Sequence, residues 1–291
     1  MPELPEVETV RRMLESTVRG RAIRDLTLSG QKLRDRVPSS LPGRVKGQTI
    51  RAVGRRGKYL LIELDQGLTL ISHLGMSGRW LFHPQRPLET MPHVHARVRF
   101  RDGSELWFQD ARRFGLLRAV RTERVERDAS IALLGADPVL SPLDGETLHA
   151  LGRRARVSMK SFLMDQRRIA GIGNIYASEI LHRAGVDPRR RASLLDRAEW
   201  DAIAKQTTRV LDEAIRRCGT TFRTYRTLWG EPGAFAERLY VYDRADRACR
   251  RCGTAIVRIV QGQRSTFFCP RCQGRPARRA RGPIRPLRKP S

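Results

Sequence analysis

The chain has 291 residues, of which 57 are basic and 30 acidic, and its formal net charge of +27 favours a nucleic-acid partner over a membrane. This length favours more than one domain, each able to bury its own core. The N-terminus lacks the basic and apolar regions of a signal peptide, and no apolar run reaches 18 residues, so we expect a cytoplasmic protein without a membrane partner.

The first stretch whose residues could take part in a chemical reaction is Met1-Pro2-Glu3-Leu4-Pro5-Glu6. Removal of Met1 would leave Pro2 as a secondary amine, and such an amine can attack an electrophilic carbon and form an iminium. A proline at position 2 also occurs where a protein needs only a stable N-terminus, so this stretch alone leaves both interpretations open. Apolar residues then recur at helical spacing, which predicts a helix over residues 5–18.

Between residues 22 and 120 the pattern changes to short β-rich runs separated by tight turns, which predicts an antiparallel sandwich or barrel. The runs span 21–28, 49–55, 58–64, 68–73, 79–82, 94–101, 105–109 and 116–121. Three connections are unusual: a basic turn at 55–58, a methionine between two glycines at 75–78, and a phenylalanine beside two arginines at 112–115. Taken singly, each is explained by a solvated turn or a core residue.

Helical periodicity resumes after residues 131–146, which contain two glycines and two prolines and are typical of an interdomain linker. Helices are predicted over 147–156, 160–166, 174–184 and 199–218. The glycines of Gly171-Ile172-Gly173 permit a tight turn whose amides could face a phosphate at the start of the third helix. A lone turn of this type more often only caps a helix.

Four cysteines lie at the C-terminal end of the part of the chain that is predicted to fold. Cys249, Cys252, Cys269 and Cys272 form two CxxC pairs separated by 16 residues, which predicts a zinc ribbon with a closed tetrahedral site. The residues after Cys272 are rich in arginine and proline, and we expect a disordered basic tail over 273–291 that binds DNA nonspecifically.

Six motifs in order, PELPEVET, RRGKYLL, HLGMSG, RRFG, GIGNIYASE and the CxxC pairs, make the chain resemble bacterial formamidopyrimidine-DNA glycosylases over roughly residues 1–272. The resemblance implies a multidomain α+β fold: an N-terminal antiparallel β-sandwich with a leading helix over 1–130, a linker over 131–146, a helix–two-turn–helix domain with a lesion-recognition loop over 147–246, and a zinc finger over 247–272. One departure is Ala111, which stands where the family usually has a proline before RRFG.

The resemblance also implies a function: excision of oxidised purines, 8-oxoguanine and formamidopyrimidines, from duplex DNA, followed by β,δ-elimination at the abasic site. The partner would be damaged double-stranded DNA in the bacterial nucleoid, bound by a monomer, and one structural zinc ion would be the only cofactor. Its catalytic residues would be Pro2 as nucleophile, Glu3 as acid to the sugar oxygen, Glu6 as a supporting carboxylate, Lys58 for β-elimination and Arg264 for δ-elimination.

The resemblance assigns further residues to DNA. Met76, Arg112 and Phe114 match the wedge that fills the gap left by a flipped base. His93, Lys160 and Asn174 match phosphate contacts, with Arg154 or Arg156 as a further one. Arg223, Thr224 and Tyr225 are candidates for contacts between the lesion-recognition loop and the base.

The sequence also leaves two other functions open. The endonuclease VIII-like branch shares the fold and the N-terminal proline but prefers oxidised pyrimidines; Leu4 in PELPE and the complete wedge argue against it. A lesion-binding protein without catalysis is the second, and the presence of Pro2, Glu3 and Lys58 argues against that.

Overall fold

The computed structural model describes residues 1–89, 91–221 and 225–274. Helix α1 (Leu4–Val18) comes first, and it buries Val7, Val10, Leu14 and Val18 at the predicted helical spacing. Eight strands follow, in the order β1 (Ile23–Leu28), β2 (Ile50–Arg56), β3 (Tyr59–Leu64), β4 (Leu68–His73), β5 (Arg79–His83), β6 (Val94–Phe100), β7 (Glu105–Gln109) and β8 (Leu116–Arg121). Every predicted strand is present, and the short helix α2 (Leu41–Val45) was not predicted.

The strands form two four-stranded sheets, in the orders β1-β6-β7-β5 and β2-β3-β4-β8. All neighbouring pairs are antiparallel, as the sequence predicted. The apolar faces of both sheets and the buried stripe of α1 share one core. This arrangement follows from the alternating pattern of the strands, since each sheet must bury one face.

The register brings the unusual connections to one end of the sandwich. Tyr59 pairs with His73, and His73 pairs with Leu116, so the turns next to these residues emerge side by side. In the other sheet Gln109 lies opposite both Arg79 and Val94. The turns that contain Lys58, Met76, His93 and the RRFG motif therefore share one edge of the molecule, although they are far apart in sequence.

A second core lies in the helical part of the chain. Its helices are α3 (Gly145–Gly152), α4 (Met159–Met164), α5 (Asn174–Ala184) and α6 (Arg197–Arg216). Asp196 caps α6 by accepting the N–H of Glu199 at 2.9 Å, and the Glu199 side chain accepts the N–H of Asp196 in return. The predicted first helix ran four residues too far, because the chain turns after Gly152 and packs that glycine against the ring of Trp200.

The segment predicted as a linker is packed against both neighbouring regions. Ile131 is buried with Ile71 and Leu116 of the sandwich, and Asp137 is 2 % exposed. Ala136 pairs in a short parallel bridge with Ile169 of the helical region. The domain boundaries given above remain a prediction, but these contacts show that the segment packs against both cores and connects them.

The C-terminal ribbon consists of β9 (Val257–Gln261) and β10 (Arg264–Phe268). The chain that leads into it is fastened to α5, since the buried carboxylate of Glu179 accepts the N–H groups of Tyr240, Val241 and Tyr242 at 2.8–2.9 Å. Gln273 is buried, whereas residues 275–291 of the predicted tail lie outside the described residues. Within the described ranges, no helix has the length and apolar character needed to cross a membrane.

Candidate active site

The N-terminal end of α1 docks on the glycine turn in front of α5. The Leu4 N–H donates to the Gly171 carbonyl at 3.0 Å. Gly171 has φ +95°, and a Cβ atom there would lie 2.5 Å from the Leu4 side chain, so the contact requires glycine. Pro2 is buried at this junction, whereas Met1 is exposed. The turn thus fixes Leu4, two residues after the candidate amine.

Glu3 bridges the two cores through its carboxylate. Its Oε2 atom accepts the Gly173 N–H at 2.8 Å and the Tyr176 N–H at 3.3 Å, and its Oε1 atom accepts the Ile175 N–H at 2.9 Å. These are the free amides at the N-terminus of α5, where the helix dipole also favours a negative group. The predicted phosphate-facing amides are therefore occupied by a carboxylate of the same chain.

Lys58 approaches the same glycine from the sandwich. Its Nζ atom donates to the Ile172 carbonyl at 3.4 Å, and a Cβ on Gly173 would lie 2.8 Å from Nζ and 2.4 Å from Glu3 Cδ. Burial lowers the pKa of Lys58, the charges of Glu3 and Glu6 oppose this, and the Arg264 guanidinium adds to the lowering. An amine in this setting is easier to deprotonate than an exposed lysine.

A cavity of about 420 Å³ opens beside these groups. Its wall includes Met1, Lys58, His73, Gly173 and Arg264, so all three regions of the fold contribute to it. Arg264 begins β10 and is exposed. Burial and the neighbouring Arg34 and Lys58 charges lower the pKa of His73 to about 3. The side chain of His73 is therefore neutral, and the positive charges at this wall come from lysine and arginine.

Glu6 lies behind Glu3 at the centre of a buried network. Its Oε2 atom accepts the Glu3 N–H at 2.7 Å, and its Oε1 atom accepts the Tyr176 hydroxyl at 2.5 Å and the Thr220 N–H at 2.7 Å. Burial raises the pKa of Glu6 to about 7, with a smaller raising contribution from the Glu3 charge, against the lowering effect of the Tyr176 hydrogen bond. Glu6 thereby links the N-terminus, α5 and Thr220, where the predicted lesion-recognition loop (residues 220–238) begins.

The predicted wedge residues come together on two packed turns. Gly75 has φ +61°, and a Cβ there would lie 2.5 Å from the Phe114 carbonyl carbon. Met76 is 37 % exposed and Phe114 47 % exposed. The Arg112 guanidinium carbon lies 4.8 Å from the centre of the Phe114 ring. Two apolar side chains and one cation therefore project from a single site at the edge of the sandwich.

Asp110 holds these two turns in place. Its carboxylate is fully buried and accepts the Ser77 hydroxyl at 2.5 Å and the Gly115 N–H at 2.7 Å. The Asp110 N–H donates to the carbonyl of His93, which has φ +62° and an exposed side chain. The predicted phosphate contact His93 thus lies next to the wedge, in a backbone conformation that histidine adopts less often than glycine.

Two other predicted phosphate contacts meet at the zinc ribbon. Lys160 donates through Nζ to the Ser265 carbonyl at 2.7 Å and to the Thr266 hydroxyl at 2.6 Å. Asn174 donates through Nδ2 to the same Ser265 carbonyl at 3.0 Å. Burial, together with the nearby Arg264 charge, lowers the pKa of Lys160 to about 8. The pair holds β10, and with it Arg264, against α4 and α5.

The remaining sequence candidates are less centrally placed. Arg154 and Arg156 are both exposed, on either side of the buried Ala155. Arg223 and Thr224 lie outside the described residues. Tyr225 is 5 % exposed in the core of the sandwich, and its hydroxyl is 3.5 Å from the Glu6 carbonyl. The assignment of these residues to DNA stays a prediction.

The four cysteine sulfurs gather at the base of the ribbon, within 4.8 Å of one another. Cys249 Sγ lies 3.9 Å from Cys272 Sγ, and Cys252 Sγ lies 3.4 Å from Cys269 Sγ. Tetrahedral zinc with Zn–S bonds of about 2.3 Å places its sulfurs about 3.8 Å apart. The donor set and its spacing fit zinc.

Several residues of the site were not identified from the sequence. Tyr176 binds Glu6, and Glu179 lies on the same face of α5 three residues later; two polar side chains on an apolar stripe were the available signal. Asp110 and Asp137 each stand alone between turns, and nothing in the local pattern shows that tertiary contacts bury them.

Comparison with known proteins follows the same three regions. Residues 1–117 match the formamidopyrimidine-DNA glycosylase N-terminal domain, residues 134–226 the H2TH domain of that glycosylase, and residues 248–274 the zinc finger found in FPG and IleRS. A formamidopyrimidine-DNA glycosylase from Alkalilimnicola ehrlichii is 45 % identical over 278 residues, which cover 94 % of this chain and 100 % of the relative.

Solved structures agree. A Lactococcus lactis FPG mutant in complex with DNA containing Fapy-dG superposes with a TM-score of 0.87 at 31 % identity, covering 94 % of this chain and 100 % of the other. The MutM (FPG) protein from Thermus thermophilus superposes with a TM-score of 0.84 at 37 % identity, covering 94 % of this chain and 99 % of the other.

Proposed function

We infer that this chain, which belongs to the formamidopyrimidine-DNA glycosylase family, is a base-excision-repair glycosylase and abasic-site lyase that acts on damaged duplex DNA. The observation that carries the mechanism is the meeting of Glu3 and Lys58 at Gly173, beside Pro2 and a cavity that Arg264 also lines. The roles of individual residues that follow are our proposal.

Pro2 attacks C1′ of the damaged nucleotide after removal of Met1. A new N–C1′ bond forms as the bond between C1′ and the base breaks, and the base leaves with the bonding electrons. The attached amine then loses its proton, the C1′–O4′ bond opens to an iminium, and O4′ gains a proton. Glu3 is next to Pro2 in the chain and is held by three amides, so it is placed to carry that proton.

Lys58 serves as the base for β-elimination. Removing a proton from C2′ of the iminium expels the 3′ phosphate, and an amine with a lowered pKa is suited to this step. Arg264 lines the same cavity and stays charged, so it assists the departure of phosphate in δ-elimination by stabilising negative charge rather than by donating a proton.

The edge of the sandwich that carries Lys58, Met76, His93 and the RRFG motif forms the DNA interface. Met76 and Phe114 fill the space left by the flipped nucleotide, and Arg112 hydrogen-bonds the unpaired opposite base. His93, Lys160, Asn174 and Arg154 or Arg156 contact phosphates. Lys160 and Asn174 both donate to the carbonyl of Ser265, the residue that follows Arg264.

Cys249, Cys252, Cys269 and Cys272 hold one structural zinc ion, which supplies folding energy to the ribbon and takes no part in bond breaking. We place the enzyme on chromosomal DNA in the bacterial cytoplasm, acting as a monomer. Oxidised purines are the proposed lesions, supported by the complete wedge and by similarity to an FPG bound to Fapy-dG DNA.

Borohydride trapping on abasic DNA tests the mechanism. Hydride reduces the iminium to a stable amine, so wild-type protein lacking Met1 should form a covalent adduct that maps to Pro2. Pro2→Gly should trap more slowly, whereas Pro84→Gly, which changes a proline in an exposed turn, should behave as wild type. Absence of an adduct with the processed wild-type protein would refute the amine mechanism. Comparing excision of 8-oxoguanine with excision of thymine glycol tests the lesion class.

A further inference from the structure

A second basic cavity lies beside the C-terminal ends of α5 and α6. It has a volume of about 600 Å³ and is lined by Arg183, Glu213, Arg216, Arg217, Arg238, Tyr240 and Arg250. Helix α5 starts at the Glu3 site and runs 11 residues to Ala184, a distance of about 16 Å. The cavity shares no lining residue with the cleft that holds Lys58 and Arg264.

The positive charge of the arginines in this cavity is only partly neutralised by carboxylates. Glu213 is the single acidic residue in the wall, and it pairs with Arg183 at 2.9 Å. Arg250 donates to the Glu237 carbonyl at 2.8 Å. Arg216, Arg217 and Arg238 are exposed and form no ion pair with any residue in the described ranges. Four guanidinium groups are thus left without a carboxylate around one concave space.

Helix dipoles account for only part of this cluster. Arg183 and Arg216 lie in the last turns of α5 and α6, where a cation is stabilised by the helix C-terminus. Arg238 comes from a separate short 3₁₀ helix, and Arg250 from the first turn of the zinc ribbon. Their convergence on the same cavity brings like charges together, which costs free energy unless an anion is bound.

We propose that this cavity is a second anion site that binds phosphate groups through the guanidinium groups of Arg216, Arg217, Arg238 and Arg250. Guanidinium is the side-chain group best matched to phosphate, because its fork donates two parallel hydrogen bonds. The concave shape and volume suit a compact anion with two or three phosphates. The phosphates come either from a free polyphosphate or from the backbone of a second DNA segment.

The architecture next to the cavity is rigid enough to hold such a ligand. The Arg183 guanidinium carbon lies 5.0 Å from the centre of the Tyr240 ring, and the Tyr240 N–H donates to buried Glu179 at 2.8 Å. One wall is therefore anchored to α5 and the other to α6. The backbone that carries these arginines is thus held in place, and ordering of the exposed guanidinium groups is the cost that opposes binding.

The probe is tripolyphosphate, and its binding is measured by calorimetry on zinc-loaded, full-length protein. A duplex containing an uncleavable abasic analogue fills the active-site cleft beforehand, so that the probe cannot bind there. The test variant carries Arg216→Ser, Arg217→Ser and Arg238→Ser. The control variant carries Arg24→Ser, Arg101→Ser and Arg209→Ser, which removes the same charge from exposed positions outside the cavity. The wild type should bind one tripolyphosphate, the test variant about 10-fold or more weaker, and the control variant within about 3-fold.

The outcomes are distinct. Equal weakening in both variants, or no binding by the filled wild type, overturns the proposal, because only diffuse charge would then be at work. Displacement of the probe by undamaged duplex identifies DNA backbone as the ligand, and displacement by free nucleotide polyphosphates alone identifies a soluble ligand. Failure of the protein to bind the abasic duplex would instead count against the proposed function.

Discussion

Arg55 and Asp137 form a buried, two-pronged ion pair that ties the turn before Lys58 to the segment between the two cores. Arg55 Nη1 lies 2.6 Å from Asp137 Oδ2, and Nη2 lies 3.2 Å from Oδ1. Arg55 Nε also donates to Glu8 of α1 at 2.9 Å, and the Gly57 N–H donates to Asp137 at 2.9 Å. The side chains of the pair are 0 % and 1 % exposed, so the charges depend on each other rather than on water.

Asp137→Asn should therefore be strongly destabilising and should also impair the lyase. Among the described residues, removing this charge leaves the buried Arg55 with Glu8 as its only carboxylate partner, at a cost of about 3–5 kcal/mol in the free energy of unfolding. Displacement of the turn should lower the β-elimination rate on abasic DNA, measured at a temperature where the variant remains folded. Asp25→Asn is the control, because its pair with Arg99 is 3.6 Å long and partly exposed, and the expected cost is below about 1 kcal/mol. Equal losses in both variants would contradict this account.

Lys58→Gln tests the proposed base. Elimination from preformed abasic DNA should slow by about 10²–10⁴-fold, because a neutral amide cannot accept the C2′ proton. In the wild type the rate should rise with pH through the pKa of Lys58, which burial lowers below that of an ordinary lysine. The variant should lose that rise. Lys205→Gln, at an exposed position of α6, should retain both the rate and the pH profile. An unchanged profile in Lys58→Gln would assign the proton transfer to another group.

Glu6 should make stability depend on pH in the direction opposite to an ordinary ion-paired carboxylate. Burial raises its pKa from 4.5 to about 7, so the folded state binds a proton more tightly than the unfolded state. The stabilisation is complete below about pH 4.5 and is lost as pH rises through 7, by up to about 3 kcal/mol. Relative to Glu6→Gln, the wild type should lose unfolding free energy across this window. Denaturant unfolding from about pH 4.5 to 8 measures the difference, and a flat difference would show that the pKa of Glu6 is the same in the folded and unfolded states.

The strands, the helices and the zinc ligands could be predicted because each has a local signal. Alternating apolar residues mark β2 to β4, spacing of three and four marks α1, and the CxxC pairs mark the ribbon. The candidate catalytic residues carried no such signal individually. The amine of Pro2 was one of two interpretations that the N-terminal stretch left open, and Lys58 gained a meaning only from the resemblance. The position of Lys58 depends on a register between strands and on a glycine turn more than 100 residues away.

What the sequence could not provide is mostly buried polar chemistry. Asp137 lies in a segment rich in glycine and proline, which is typical of a linker. Its carboxylate nevertheless binds Arg55 and the Gly57 N–H of the sandwich, and so connects the two cores. Lys160 matches a phosphate contact by resemblance, and in the structure its ammonium group donates to the Ser265 carbonyl. In both cases the partner comes from a distant part of the chain, and periodicity contains no information on which distant groups will meet.

Phe114→Ala should slow excision of a base from duplex DNA more than it slows strand cleavage at an abasic site. Phe114 is 47 % exposed. In the proposed wedge it fills stacking space only when a base has left the helix, and stacking is worth about 1–3 kcal/mol per base. We therefore expect a loss of about 10-fold or more in single-turnover excision and a smaller loss on abasic DNA. Leu194→Ala removes a similarly exposed apolar side chain outside the interface and should change neither rate. A Phe114 variant with unimpaired excision would remove it from the wedge.

Zinc removal should separate the ribbon from the rest of the protein. Few buried apolar residues support β9 and β10 apart from the cysteines, and a site of this type contributes about 10–16 kcal/mol to local folding. Chelation, or Cys252→Ser, should therefore release Arg264 from the cavity and abolish DNA binding, while the near-ultraviolet signal of Trp80 and Trp107 in the sandwich persists. Cys218→Ser is the matched control, because that thiol lies outside the cluster and should leave zinc content and binding unchanged. Tight DNA binding by fully demetallated protein would show that Lys160 and Asn174 can position β10 without the metal.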